Sequence, residues 1–295
     1  MQVIKLGQKL NCPIVVCLGF FGCMHKGHIE LLNRAKLRAK QTDSKVALFT
    51  FSNNHLAVLG KDNSAAYTYG ERLEIYRSLG VDVVISAEFN TEFKSLSGKQ
   101  FLSQFTAYDL QGVVCGFDHH CGSDGIDCKE ISNYLANVCN VDIVDQVTID
   151  GKKVSTTLVR TYLQQGNINK ANSLLSEPFF LLGKVVHGRG VGKTLGFPTA
   201  NIQVDAEKLL PYGVYGGYID IDDQSFRAIT NIGKVPTFNI NCNSVEVFVL
   251  NYNGNLYDKM VKVSLTKFLR PIKRFNSADE LRKQLNHDKE TVLND

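Results

Sequence analysis

The chain has 295 residues, 44% hydrophobic and 21% charged, with a formal net charge of +4. That length is enough for two cores, and the composition is that of an ordinary globular protein without repeats or low-complexity tracts. The mild charge suits anionic small ligands, and no Lys/Arg run forms a nucleic-acid stripe. Residues 1–9 hold no apolar signal core, and no apolar run reaches the length of a membrane span. A cytoplasmic protein without nucleic-acid or membrane partners is expected, and the sequence assigns it no oligomeric state. The eight cysteines, several inside apolar strand-like runs, read as reduced thiols rather than a disulfide frame.

In chain order, the apolar runs at 13–18 and 45–51 predict buried strands, and helical spacing of Ile29, Leu32, Ala35, Lys36 and Ala39 predicts a helix over 27–41. Further strands are expected at 81–86, 112–116 and 141–147, separated by helices near 71–79, 98–105 and 129–138. Strands alternating with helices predict a parallel sheet covered on both faces. Two short helices, 157–165 and 168–175, close this module, with a junction at Ser176-Glu177-Pro178. The pattern then changes to β-branched or alternating runs at 214–221, 226–230, 245–252 and 261–265, with turn residues between them. A small closed barrel is expected there, followed by a helix over 277–288 that Ser277 caps and Glu280 supports. The fold class is therefore α/β plus all-β, with domains 1–177 and 178–295.

Two stretches carry chemistry. In the first module, Gly19-Phe20-Phe21-Gly22-Cys23-Met24-His25-Lys26-Gly27-His28 follows the first strand and opens the first helix. That is where phosphate-bearing ligands bind in open α/β sheets. Read alone, His25 and His28 could instead be zinc ligands with Cys23, or plain polar residues at a helix start. A second piece is Ser155-Thr156-Thr157-Leu158-Val159-Arg160, where ordinary helix capping accounts for the hydroxyls but not for the arginine. A cluster of Cys115, His119, His120, Cys121 and Cys128 offers a competing metal reading, with spacings that fit no standard finger.

In the second module, residues 183–201 hold five glycines and three cations and end in Phe197-Pro198-Thr199-Ala200-Asn201. Glycines bring backbone N–H groups close to a polyanion. The run is not a P-loop, because His187 stands where the first glycine is needed and Gly196 and Pro198 interrupt the following helix. It is not a dinucleotide fingerprint either.

This second stretch resembles the signature of riboflavin kinases, with Lys193 where that family usually has arginine. The resemblance implies ATP and phosphate binding by Gly183, Lys184, Gly188, Gly192, Lys193, Thr199 and Asn201, with Mg²⁺ on Thr199 and Asn201. It implies Glu246 as the base for the ribityl hydroxyl, although a glutamate between valines on a strand is ordinarily the solvent face. Further matches are residues 211–215, Asn231-Ile232-Gly233 with Pro236-Thr237-Phe238, Leu256-Tyr257, and Leu269-Arg270 followed by Phe275. Phe197, Arg270 and Phe275 are implied near flavin.

The first stretch resembles the His-x-Gly-His motif of nucleotidyltransferases, specifically the FMN adenylyltransferase module of bacterial bifunctional FAD synthetases. The resemblance implies that His25 and His28 stabilise charge on the ATP phosphates, and that Ser155, Thr156, Thr157 and Arg160 hold those phosphates. Asp118 is implied near nucleotide and flavin. Three loops depart from the family: Gly22 replaces an acid within Phe21-Gly22-Cys23, Ser52 and Asn53 replace Asp-Pro, and His119 and Cys121 replace two aromatics. The expected function is ATP-dependent conversion of riboflavin to FMN and of FMN to FAD. The alternatives are a riboflavin kinase with a weak or silent first module, and a flavin- or nucleotide-responsive regulator.

Overall fold

The structure, a computed structural model, describes residues 1–61, 64–188, 196–222, 224–237 and 240–294, without the side chains of 235–237 and 240–242. It divides into two compact units, Met1–Thr156 and Thr157–Asp295. Strands and helices of the first are β1 (Gln2–Lys5), β2 (Ile14–Cys17), α1 (Lys26–Gln41), β3 (Lys45–Phe51), α2 (His55–Val58), α3 (Tyr69–Ser78), β4 (Val83–Ala87), α4 (Thr91–Ser95), α5 (Gly98–Ser103), β5 (Leu110–Gly116), β6 (His120–Cys121), β7 (Ile126–Asp127), α6 (Cys128–Leu135), β8 (Val141–Val144), β9 (Thr148–Ile149) and β10 (Lys152–Lys153).

Strands β1-β4-β3-β2-β5-β8 form one sheet in that order, every neighbouring pair parallel. β2 reads Ile-Val-Val-Cys and is buried at all four positions, which is why it is central and apolar on both faces. Ile14, Val16 and Leu18 pack with Phe49, Phe101, Leu102 and Phe105 on one side. On the other, the Cys17 thiol reaches the Leu31 carbonyl at 3.7 Å, and α1 buries Leu31, Leu32, Ala35 and Ala39. The predicted sheet with helices on both faces is what forms. β1 and the two small hairpins, β6–β7 and β9–β10, are additions that short runs without a clear period did not announce.

Helix α7 (Thr156–Gln164) spans the boundary between the units, and α8 (Ile168–Leu174) follows it. Asn172 of α8 donates to the Leu265 carbonyl at 2.8 Å and accepts from the Phe179 N–H, so this helix belongs to the second unit by its bonding. There β11 (Phe180–Val186), β12 (Thr199–Val204), β13 (Gly213–Ile221), β14 (Gln224–Thr237), β15 (Ile240–Val249) and β16 (Met260–Arg270) close a barrel in the order β11-β12-β15-β14-β13-β16. Ile202, Ile232, Val245, Val247, Val263 and Leu265 are buried in it. A closing helix, α9 (Ala278–Leu293), is capped by Ser277 as the sequence predicts. It is fastened to the barrel by Asp288, 2% exposed, which accepts from Arg270 Nε and Nη2 at 3.0 and 2.9 Å.

Candidate functional site

The first unit gathers its polar groups where α1 begins. His25 is the N-cap: its Nδ1 accepts the His28 backbone N–H at 3.2 Å, satisfying one orphan donor of the first turn. His28 Nδ1 in turn donates to the Cys23 carbonyl at 2.8 Å. The two rings stack at 3.6 Å with 15° between planes. These bonds fix opposite tautomers: neutral His25 carries its proton on Nε2, and neutral His28 carries its own on Nδ1. Burial, and after it the His28 charge, pushes the His25 imidazole far below its usual range. Burial also lowers His28, to about 4. Both rings are therefore neutral near pH 7, and His25 is the ready donor. Gly27 between them has a packing reason, since a Cβ there would lie 3.2 Å from the His25 ring.

The hydroxyl run reaches the same place. Thr156 Oγ1 accepts from the Cys23 thiol at 3.5 Å, with Ser155 before it and Thr157 exposed after it. Arg160 lies one turn further along α7, half-buried, and belongs to the second unit. Asp118, in the loop after β5, is paired with Lys153 of β10, and the Lys153 ammonium lies 5.0 Å from the Phe117 ring centroid.

The altered loops have physical explanations. A Cβ on Gly22 would lie 2.3 Å from Phe20, so the Phe20 ring takes the space that an acid at position 22 would need. Behind that ring sits the Arg72 guanidinium, 4.8 Å from its centroid and 2% exposed, donating to Thr50 Oγ1 at 2.7 Å and to the Phe51 carbonyl at 2.8 Å. Asn53, beyond Ser52, ties its amide to both backbone groups of Phe89. Burial pushes the Cys115 and Cys121 thiols up to about 12, so both are neutral thiols near pH 7. Among the described residues no three His, Cys, Asp or Glu side chains gather as a metal-ligand set.

Sequence reasoning missed an aromatic wall at the carboxyl edge of β2, β3 and β4. Phe20 meets His55 edge-on at 4.1 Å, while Phe51 meets Phe89 at 4.9 Å and Phe93 at 5.2 Å. All five are part-exposed. The count of 17 phenylalanines was the available signal, but only the topology brings these from four separate segments to one edge.

In the second unit the candidate groups lie on the outer face of the barrel. Along β15, Val245, Val247 and Val249 point inward and are buried, so Glu246 points out between them. It is half-buried and accepts from Ser244 Oγ at 3.1 Å. Glu246 registers against Asn201 of β12 on one side and Asn231 of β14 on the other. The result is a polar row across three strands. Thr199 shares the Asn201 face two residues away, opposite Phe248, whose ring meets that of buried Phe197 at 5.2 Å. A Cβ on Gly188 would fall 1.9 Å from Asn201 Nδ2, so glycine alone lets this backbone lie on the amide.

The remaining predicted residues fall around that row or serve the scaffold. Gly183 is packed into the barrel wall, where a Cβ would meet the Gln203 carbonyl oxygen at 2.5 Å. Exposed Lys184 pairs with Asp258 at 2.8 Å, beside a stack of His187 on Tyr257 at 3.8 Å. Arg270 is engaged by Asp288, and Phe275 lies 5.6 Å from its guanidinium. Gly192 and Lys193 lie outside the described residues.

Comparison with known proteins bears on both units. A family model described as FAD synthetase matches residues 7–158, and one described as riboflavin kinase matches 175–294. Proteins named bifunctional riboflavin kinase/FMN adenylyltransferase match over nearly the whole chain. That of Bacillus subtilis is 32% identical over 288 residues, covering 95% of this chain and 91% of its own. That of Escherichia coli K12 is 29% identical, covering 98% and 94%. A crystal structure described as a macrolide-efflux protein from Streptococcus pneumoniae superposes with a TM-score of 0.92 at 30% identity, over 100% of this chain and 99% of that one. Among the described residues, no helix is long and apolar enough to cross a membrane.

Proposed function

This chain belongs to the bifunctional riboflavin kinase/FMN adenylyltransferase family, and from that premise we propose how its residues divide the work. The enzyme phosphorylates riboflavin to FMN with ATP, then adenylylates FMN to FAD. The barrel unit carries the first reaction and the parallel-sheet unit the second. Macrolide efflux, the description of the pneumococcal structure, has no counterpart in either site.

The row Asn201–Glu246–Asn231 is the observation that carries the kinase reading. Glu246 takes the proton of the ribityl 5′-hydroxyl as it attacks the γ-phosphorus, and Ser244 aims the carboxylate. Side-chain oxygens of Thr199 and Asn201 on one strand face, with a carboxylate opposite, make a hard-oxygen set that fits Mg²⁺. Bound there, the ion would neutralise charge on the β- and γ-phosphates. Gly188 and Lys184 contact the phosphates, Gly183 builds the strand that carries Lys184, and the family motif assigns Gly192 and Lys193 to the same phosphates. Phe197 and Phe275 line the flavin side, and Arg270 acts by holding that side to α9.

At the adenylyl site no base is needed, because the attacking FMN phosphate is already an anion. His25 Nε2–H donates to the phosphates of ATP, and His28, fixed by the Cys23 carbonyl, lies stacked on it. Ser155, Thr156, Thr157 and Arg160 hold the polyphosphate. The aromatic wall of Phe20, Phe51 and Phe89 takes the isoalloxazine face, replacing the aromatics lost at positions 119 and 121. Asp118 borders that site. The reading places the enzyme in the cytoplasm, where ATP is abundant and thiols such as its seven free cysteines among the described residues stay reduced. It requires neither nucleic acid nor membrane.

The decisive experiment incubates pure protein with riboflavin, ATP and Mg²⁺ and separates the flavins. FAD is expected, with FMN formed faster, because Phe20 fills the space of the family acid. FMN alone would reduce the first unit to a nucleotide-binding module. Unchanged riboflavin would leave only the regulatory reading.

A further inference from the structure

The residues that the first unit itself brings to the adenylyl site supply hydrogen bonds but little charge. Its two histidines are neutral near pH 7, and a helix N-terminus contributes about half a positive charge, whereas a triphosphate brings several negative ones. Arg160 belongs to the second unit, and within the first unit no cationic side chain facing those charges has yet been assigned.

Lys153 stands in that position. It lies on the β9–β10 hairpin, paired with Thr148, and the next residue, Val154, donates its N–H to the Val147 carbonyl at 3.0 Å. Val147 Cβ is 4.0 Å from the point where Gly27 would carry a side chain. Three residues beyond Lys153, Thr156 touches the Cys23 thiol. The segment carrying Lys153 is thus anchored to the His-x-Gly-His turn on both sides. Its charge is felt at His25, where it adds to burial in disfavouring the protonated ring.

The present partner of Lys153 does not account for it as a stabilising element. Its ion pair with Asp118 leaves the two side chains 43% and 52% exposed, and pairs that open contribute little. Such an ammonium moves readily to a stronger anion.

We propose that Lys153 is a further catalytic residue of adenylyl transfer, leaving Asp118 to bind the β- and γ-phosphates of ATP and the pyrophosphate that departs. In the step, an FMN phosphate oxygen bonds to the α-phosphorus and the bond from that phosphorus to the bridging oxygen breaks. The electron pair stays on pyrophosphate, where Lys153 meets the new charge, and no proton need be transferred. The proposal rests on reading the first unit as the adenylyltransferase.

The test uses the full-length protein and inorganic pyrophosphate as the probe, through its affinity and its KM in the reverse reaction from FAD. Lys153→Gln is expected to weaken both by about tenfold or more, and Lys153→Arg to keep them within a few-fold. Lys152→Gln removes the same charge from the opposite face of the hairpin and should change neither. Asp118→Asn frees Lys153 and should hold or tighten pyrophosphate, whereas a merely structural pair would make it behave like Lys153→Gln. Wild-type pyrophosphate affinity in Lys153→Gln, or equal losses in Lys153→Gln and Lys152→Gln, overturns the inference. If His28→Ala also makes FAD at the wild-type rate, the adenylyltransferase reading falls; if His28→Ala loses FAD formation while Lys153→Gln binds pyrophosphate normally, only the role of Lys153 falls.

Discussion

The two proposed sites would meet the same co-substrate with different chemistry. The barrel presents half-buried oxygens in a row, with a carboxylate at the centre. The parallel-sheet unit presents stacked neutral imidazoles at a helix start, and no carboxylate takes part in their bonds to each other or to Cys23. The nucleophile explains the difference. A ribityl hydroxyl must lose a proton when it attacks phosphorus, so the kinase needs a base. The FMN phosphate arrives deprotonated, so its transfer needs only orientation and donors for the developing charge.

The strongest way to break this comparison is Glu246→Gln. FMN formation should fall by about two to four orders of magnitude with riboflavin and ATP binding retained, while FAD formation from supplied FMN is unchanged. Near-normal kinase turnover would return Glu246 to the role of an outward-facing strand residue. Second in size is His25→Ala or His28→Ala, for which FAD formation should drop by about a hundredfold or more and FMN formation should not. A folded His28→Ala protein that loses its kinase activity would show that the two chemistries are not separable.

Gly188→Ala sharpens the kinase half. The added methyl has no room beside Asn201, so the KM for Mg-ATP should rise by about tenfold, the loss of one well-placed polar contact. An unchanged KM would detach Asn201 from the nucleotide.

Gly22→Asp tests the other half. Restoring the acid drives its Cβ against Phe20, and a thermal or denaturant melt should show about 1–3 kcal/mol of destabilisation without faster FAD synthesis. Removing the ring as well, with Phe20→Ala, should recover part of that stability. If Gly22→Asp is as stable as the wild type, Phe20 does not occupy the space.

The smallest effect is one of pH. Burial holds His28, His55 and His119 down to about 4, and His25 lower still. All four are in the first unit. The unfolded chain therefore binds more protons below its ordinary imidazole value, and the stability these rings contribute is lost as pH falls from about 6.5 through about 4. Adenylyltransferase activity measured after a hold at pH 4.5 should decline before kinase activity does. Equal losses would mean that the acid sensitivity lies elsewhere.

Much of this was legible in the sequence where a strong local period or motif existed. The run 45–51 is β3 to the residue, and 27–41 is α1 to within one residue. Glycine content concealed β11 and β12, because 183–201 reads as one flap although its two ends are paired barrel strands, with Val186 opposite Asn201. The partners of Glu246 were also hidden. Asn231 is 15 residues upstream and becomes a neighbour only through the register of β14 on β15. Lys153 looked like any lysine in a turn, since nothing local indicates that Val147 and Thr156 pin its hairpin to the histidines.

The barrel is closed, while the parallel sheet ends in β1 on one side and β8 on the other. Closure leaves no open ladder for a second molecule to extend, whereas an open sheet exposes one at each end. Both outer strands here are only four residues long, and β8 carries Asp142, which is clasped by Arg38 of α1. Short, charged edges of this kind discourage end-to-end pairing. Charge loss at that edge, as in Asp142→Val, would direct heat-induced aggregation to the sheet while the barrel stays inert.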